Sequence, residues 1–533
     1  MLISVCRKSI SNQLSPCGEA HMFTNGVKFR NVTTALLFCG GLIGCSEPPA
    51  TTAETEAEGA APAVEYRFFP AQDDTGINPD THLILSFNEA PEIGASGTVQ
   101  ITDIETGEIV DEIDLSIPFS PNPDGRSTAT TEAERRARAQ NFSAKDYQYI
   151  TLSGVDFLYH PVLVRDTTAQ IDLHPGVLDY GRTYSVSIEA SVLGTAEEIN
   201  WTFSTKNAPP ANDVRQVTVA ADGSGDFNTV QGAIEFAPAT SDDGPFEINI
   251  KNGKYEELVY LTAKSDIVIR GESREGVIVG YPNNSAFNPP QPAPSRRPAF
   301  TLYQVEDIQL SDFTIENYFI GQAEALLVRG DRVIIDNMQM NGSGDALTTY
   351  GAIYMQDSEL TGHGDTILAY ATLYCLRCTV KSYGPFTWTR TPDGQHGNVF
   401  IDSTFERIDE PLPWTITEEN PEGRIVDAGL ARLPRNGPGS SAPNFPHAEM
   451  VLIDTTLIHV SEEGWGPVED PETFDWSGVN FMETGSRNAD GELIDLSKRH
   501  PIVKILDPET DAEVIANYKS PEFVFGDWTP QPD

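Results

Sequence analysis

The sequence predicts an all-β protein in two folded parts, a β-sandwich followed by a parallel β-helix. Three observations carry that reading. Between residues 63 and 207, short segments alternate apolar and polar side chains, the period of half-buried strands. From residue 214 onward, a short apolar strand headed by a polar turn residue recurs about every 20 to 25 residues, the length of one coil of a β-solenoid. The 43 glycines and 38 prolines among 533 residues mark frequent turns and leave little room for long helices.

Composition narrows the function. The net charge of −44, from 79 acidic and 35 basic residues, excludes nucleic acid as a partner, because phosphate binding needs clustered lysine and arginine. Six cysteines, four of them before residue 46, make no disulfide framework. Cys375 and Cys378 lack the further ligands of a zinc site, and no metal or other cofactor is expected. On one extended strand, positions three apart face opposite ways, so the pair reads as two separate core thiols.

Residues 1–45 read as a secretory leader. Lys28 and Arg30 precede an apolar run from Val32 to Gly44 that is too short to span a bilayer. Its end, Leu42-Ile43-Gly44-Cys45, resembles a bacterial lipobox. That resemblance implies cleavage before Cys45, a lipid on its thiol and, with Ser46 following, an outer-membrane lipoprotein; a periplasmic or extracellular protein is the alternative. Residues 46–62, rich in Ala, Thr, Glu and Pro, form a flexible tether.

Residues 63–207 contain strands such as His82-Leu83-Ile84-Leu85-Ser86-Phe87, Thr98-Val99-Gln100-Ile101 and Tyr184-Ser185-Val186-Ser187-Ile188, and close on Trp201-Thr202-Phe203-Ser204-Thr205. This spacing suits a sandwich, and the closing W-x-F strand resembles a bacterial Ig-like domain. A polar insertion from Pro121 to Asp146 has no evident strand and reads as a spacer. Residues 208–213, with Pro209-Pro210, are the linker to a second unit, 214–533.

In that unit the repeat begins at Asp312, Asn337, Asp357, Arg377, Asp402 and Asp454, with one larger gap before the last. The gap, from about Asp409 to Pro446, must leave the coil as long loops, where binding residues usually lie.

Several motifs here resemble the pectin methylesterase family. Val219-Ala220-Ala221-Asp222-Gly223-Ser224-Gly225-Asp226-Phe227 is similar to its opening strand and glycine-rich turn, and Gly253-Lys254-Tyr255-Glu256-Glu257 to its G-x-Y-x-E. Gln322-Ala323-Glu324-Ala325-Leu326 resembles Q-A-V-A-L, and Gly344-Asp345-Ala346-Leu347 stands where the family has Q-D-T-L. Asp365-Thr366-Ile367-Leu368-Ala369 stands for D-F-I-F-G, Leu430-Ala431-Arg432-Leu433-Pro434 for L-G-R-P-W, and Gly464-Trp465 for a later G-W. The resemblance implies a right-handed parallel β-helix and an ester hydrolase acting on methylated pectin or a related acidic polysaccharide; a monomer is expected.

The residues support that chemistry in their own right. Asp345 and Asp365 lie 20 residues apart, one coil, and so face each other from adjacent rungs. Two close carboxylates cannot both ionise comfortably, which leaves one a proton donor and the other a nucleophile. Arg432 beside Asp365 would favour its charged form, making Asp365 the nucleophile and Asp345 the acid. Gln322, Gly344, Thr366 and Trp388 are the candidate substrate contacts. Gly344 replaces the family's oxyanion glutamine, Thr366 and Leu368 its aromatics, and Pro434 its tryptophan. Phe386, Trp388 and Trp414 stand nearby as replacement sugar platforms or as packing, and His363 as groove wall. Two other readings remain: a silent β-helix that binds polysaccharide or serves at the surface, and an esterase for a different small ester.

Overall fold

The computed structural model describes residues 67–125, 134, 137, 142–241, 244–287, 297–411, 416, 421–422, 429–432, 445–465 and 476–532. Cys45 with its leader, the tether, most of the 121–146 insertion and Trp414 lie outside the described residues.

The first part is a two-sheet sandwich. One sheet runs in the order Arg67–Phe69, Leu83–Ser86, Thr168–Ile171, Val162–Arg165; the other Asp74–Ile77, Ile199–Thr205, Thr183–Ile188, Thr98–Asp103, Ile109–Asp114. Period-two alternation builds the core. Tyr184, Val186 and Ile188 point inward, and the antiparallel register sets Val186 opposite Ile101 and Ile188 opposite Val99. Across the gap Phe68 stacks on Trp201 with centroids 4.8 Å apart.

The second part is a parallel β-helix. Its two long sheets hold fifteen and eight described strands, each pairing in parallel with its counterpart one coil away. Register carries one core position through seven coils: Ile269, Leu310, Ile335, Met355, Cys375, Phe400 and Leu452 stack inside. The polar residue heading each repeat is the corner between the two sheets. Asp312, Asn337, Asp357, Arg377, Asp402 and Asp454 all take left-handed conformations, φ 49° to 62°. Asp and Asn tolerate that region better than other side chains, and the corners also bond to one another, Asn337 Nδ2 donating to Asp312 Oδ1 at 2.7 Å.

Cys375 and Cys378 form a disulfide, which corrects the expectation of two separate thiols. The strand ends at Leu376 and Arg377 turns the corner with φ 55°. Both side chains therefore face the coil interior, with Cα atoms 5.8 Å apart.

The helix Val230–Phe236 closes the first coil, burying Val230, Ala233 and Ile234 on the core. Three groups serve its free N-terminal amides. Thr229 Oγ1 accepts from Gly232 N, and Glu257 accepts from Val230 N and Gln231 N at 2.8 and 2.9 Å. Asp80 reaches across from the sandwich to accept from Asn228 N, Thr229 N and Thr229 Oγ1. A shared apolar cluster that includes Phe157, Tyr159 and Leu163 of the sandwich and Tyr260 and Tyr281 of the coils completes the joint. At the other end Tyr374 Oη donates to Lys519 O, tying the C-terminal helices to the outer wall. No helix among the described residues is long and apolar enough to cross a membrane.

Burial, reinforced by the charge of Asp80, raises Glu257 from its ordinary 4.5 to about 7. A carboxyl that binds its proton more tightly when folded contributes stability below pH 4.5 that is lost as pH rises through about 7. The thermal midpoint should therefore fall across that interval. Unfolding scans of Glu257→Gln should show a flatter dependence; an unchanged slope would place the titration elsewhere.

Candidate active site

The paired aspartates emerge from strand register. Leu326 pairs with Leu347, Leu347 with Ile367, and Ile367 with Thr387. Two residues before each of the first three stand Glu324, Asp345 and Asp365, so three acids occupy one column on consecutive coils, a rung apart, about 4.8 Å in a sheet. Thr348 Oγ1 donates to Asp345 Oδ2 at 3.2 Å. Arg432, placed by its N–H to Thr387 O at 3.0 Å, bonds Asp365 Oδ2 through Nη1 at 2.5 Å. Asp365 Oδ1 is buried with no hydrogen-bond partner among the described residues, and the residue itself is held in a left-handed turn, φ 46°.

Electrostatics separate the two. Burial pushes Asp345 up to about 8, helped by the charge of Glu324 and then of Asp365, against Arg297 and the Thr348 bond. Burial also raises Asp365, but there Arg432 and then Arg390 oppose the rise. The acid with carboxylates on both sides keeps its proton; the acid with cations beside it gives its proton up more readily.

Glu324 was missed by sequence reasoning. It is 2% exposed and ion-paired to Arg297, whose side chain is 27% exposed. A signal was available: Glu324 breaks an apolar run at the same offset from Leu326 as Asp345 has from Leu347.

Two expected substrate contacts are corrected. Thr366 is fully buried, and its hydroxyl donates to Ser382 Oγ at 2.8 Å, so it locks a turn and does not face a ligand. Trp388 is 4% exposed, with the guanidinium carbons of Arg390 and Arg432 at 3.5 and 4.0 Å from its ring centroid. Cations occupy the place a sugar would stack on, and the ring instead steadies Arg432 through cation–π attraction. Phe386 is core. Gln322 is half-buried beside the column, its Oε1 accepting from Ser285 Oγ at 2.7 Å. His363, pulled down to about 4 by burial, is neutral at pH 7 and bonds Ser343 Oγ through Nδ1 at 2.8 Å.

Gly344 has φ 137°, a region side chains rarely adopt, and a Cβ there would sit 3.1 Å from Gly321 O. A glutamine restored at this position would strain the turn. Among the described residues no group of His, Cys, Asp or Glu is placed to hold a metal.

A parallel β-helix with a buried dicarboxylate pair and an arginine on its outer wall has the parts of a hydrolase. Residues 216–394 match the family model described as Pectinesterase. It is 25% identical over 339 residues to a pectinesterase of Ralstonia solanacearum, covering 54% of this chain and 82% of that one. Over 148 residues it is 31% identical to a probable pectinesterase/pectinesterase inhibitor of Arabidopsis thaliana, 26% of this chain and 27% of that one. The solved pectin methylesterase from carrot aligns with TM-score 0.48 and 20% identity, covering 62% of this chain and 99% of that one.

Neutralising Glu324 should lower Asp345, since the repulsion disappears and Arg297 is released toward it. In a titration of carboxyl-labelled aspartate, the resonance near 8 that Asp345→Asn removes should move down in Glu324→Gln. No movement would remove Glu324 from the network.

Proposed function

We infer that this chain is a pectinesterase that hydrolyses the methyl esters of polygalacturonate to methanol and pectate. The observation that carries the mechanism is the column itself, with a cation bonded to Asp365 and a second carboxylate one rung from Asp345. The match of residues 216–394 to the Pectinesterase family model and the similarity to the Ralstonia pectinesterase support the substrate class.

The unpartnered Oδ1 of Asp365 attacks the ester carbonyl, and negative charge collects on the carbonyl oxygen. The side-chain amide of Gln322, on the coil beside the turn where Gly344 has no side-chain donor, is the donor assigned to that charge. Collapse breaks the bond to methoxide, which takes the proton of Asp345 and leaves as methanol. The acyl group now sits on Asp365 as an anhydride. Asp345, ionised, removes a proton from water; the hydroxide adds to the acyl carbon, Asp365 leaves as carboxylate, and both acids return to their starting states.

The N-terminal sandwich is read as an Ig-like domain. Cys45 is read as a lipid anchor, with residues 46–62 as the tether that lets the folded part reach polymer beyond an outer membrane. Loss of membrane partitioning in Cys45→Ala would support the anchor.

Methanol release from highly methylated pectin tests the activity. Asp365→Asn, which cannot form the acyl intermediate, and Arg432→Ala should each lower turnover by about 10³-fold or more with circular dichroism unchanged. Wild-type turnover in either variant would move the site elsewhere.

A further inference from the structure

The N-terminal part meets the coils at several points, among them Asp80 on Thr229, Arg165 on Glu256 and Ser153 on Glu235. One further contact leads toward the acid column. Ser120 and Asn122, at the start of the insertion that read as a spacer, are 2% and 4% exposed. Ser120 Oγ donates to Phe287 O at 3.1 Å, and Asn122 Nδ2 donates to Ala286 O at 2.8 Å. Both bonds are buried and join residues more than 160 apart in sequence. Phe119 adds an edge contact to Phe287, whose ring in turn packs on Phe319.

The segment so gripped leads to Gln322. Ser285, adjacent to Ala286, donates through Oγ to Gln322 Oε1, and its N–H bonds Gln322 O at 3.1 Å. With Oε1 engaged by Ser285 Oγ, the amide plane is tethered and Nε2 is left without a hydrogen bond among the described residues. Gln322 lies against the turn before Asp345: a Cβ on Gly344 would come 3.6 Å from Gln322 Cα.

We propose that Ser120, Asn122 and Ser285 are positioning residues that carry a support from the sandwich to the Gln322 amide, so that its N–H faces the developing oxyanion. The N-terminal part is then a working piece of the active site. This rests on the pectinesterase reading. It also explains how the groove operates with glycine at 344: a donor on the neighbouring coil substitutes, and a donor helps only if its orientation is set in advance.

The test uses the full chain. Gln322→Ala should lower kcat by about 10²–10³-fold, the loss typical of one oxyanion donor. Ser285→Ala and Asn122→Ala, which loosen the amide without removing it, should each lower kcat by about tenfold with KM within about twofold, and Ser285→Thr should keep wild-type kcat. If Gln322→Ala is harmless, or if it is damaging while Ser285→Ala and Asn122→Ala are not, the proposal is overturned. Amide NMR gives a readout independent of turnover. The Gln322 Nε2 protons, identified by their loss in Gln322→Ala, should shift in Ser285→Ala and Asn122→Ala and be restored in Ser285→Thr; unmoved signals refute the support. A wild type that releases no methanol defeats the pectinesterase reading, and the amide signals then decide the support by themselves.

Discussion

Parallel hydrogen bonding between successive coils sets which residue lies above which, and every feature of the groove inherits that register. A strand slipped by one residue would turn its core side chains outward, and the interior column from Ile269 to Leu452 opposes any such slip. The left-handed corners reinforce the register, since a residue at φ near 50° cannot be exchanged with its extended neighbours without strain. Glu324, Asp345 and Asp365 are a column because the strands two residues later are a column.

Stacking acids on adjacent rungs is unfavourable unless their charges differ. The protein meets this with cations at the two ends, Arg297 on Glu324 and Arg432 on Asp365, and among the described residues the middle acid has no cation bonded to it. In the proposed mechanism, proton donor and nucleophile are thereby assigned by position in the column. Arg432 is itself held by Trp388 and by its backbone bond to the next coil, so the charge that favours ionised Asp365 is fixed before any substrate arrives.

The net charge of −44 gives these few cations weight. Arg390 and Arg432 both lie against Trp388 beside Asp365, close enough to act on that carboxyl, whereas the repulsion between the protein's many exposed acids is screened by salt beyond about 8–10 Å. The sandwich contributes at both ends of this arrangement. Asp80 caps the helix that seals the first coil, and Asn122 grips the segment behind Gln322.

The sequence by itself determined what depends on short-range pattern. Period-two alternation marks the sandwich strands, the recurring polar corner marks the coils, and the 20-residue spacing of Asp345 and Asp365 places them on neighbouring rungs. Local pattern failed where a contact joins distant segments or depends on a corner's direction. The disulfide needed the bend at Arg377, which brings both sulfurs inside. Trp388 was legible as an aromatic near the groove but not as a ring already covered by two arginines, one of them 44 positions away in sequence. Glu324 stood in plain view, yet only its pairing with Arg297 across 27 positions shows a buried charge rather than a surface one. The grip of Asn122 on Ala286, 164 positions apart, is a property of how two folded parts meet. Such contacts are chosen by shape and hydrogen-bond satisfaction once the chain is compact, and no periodicity in the sequence encodes them.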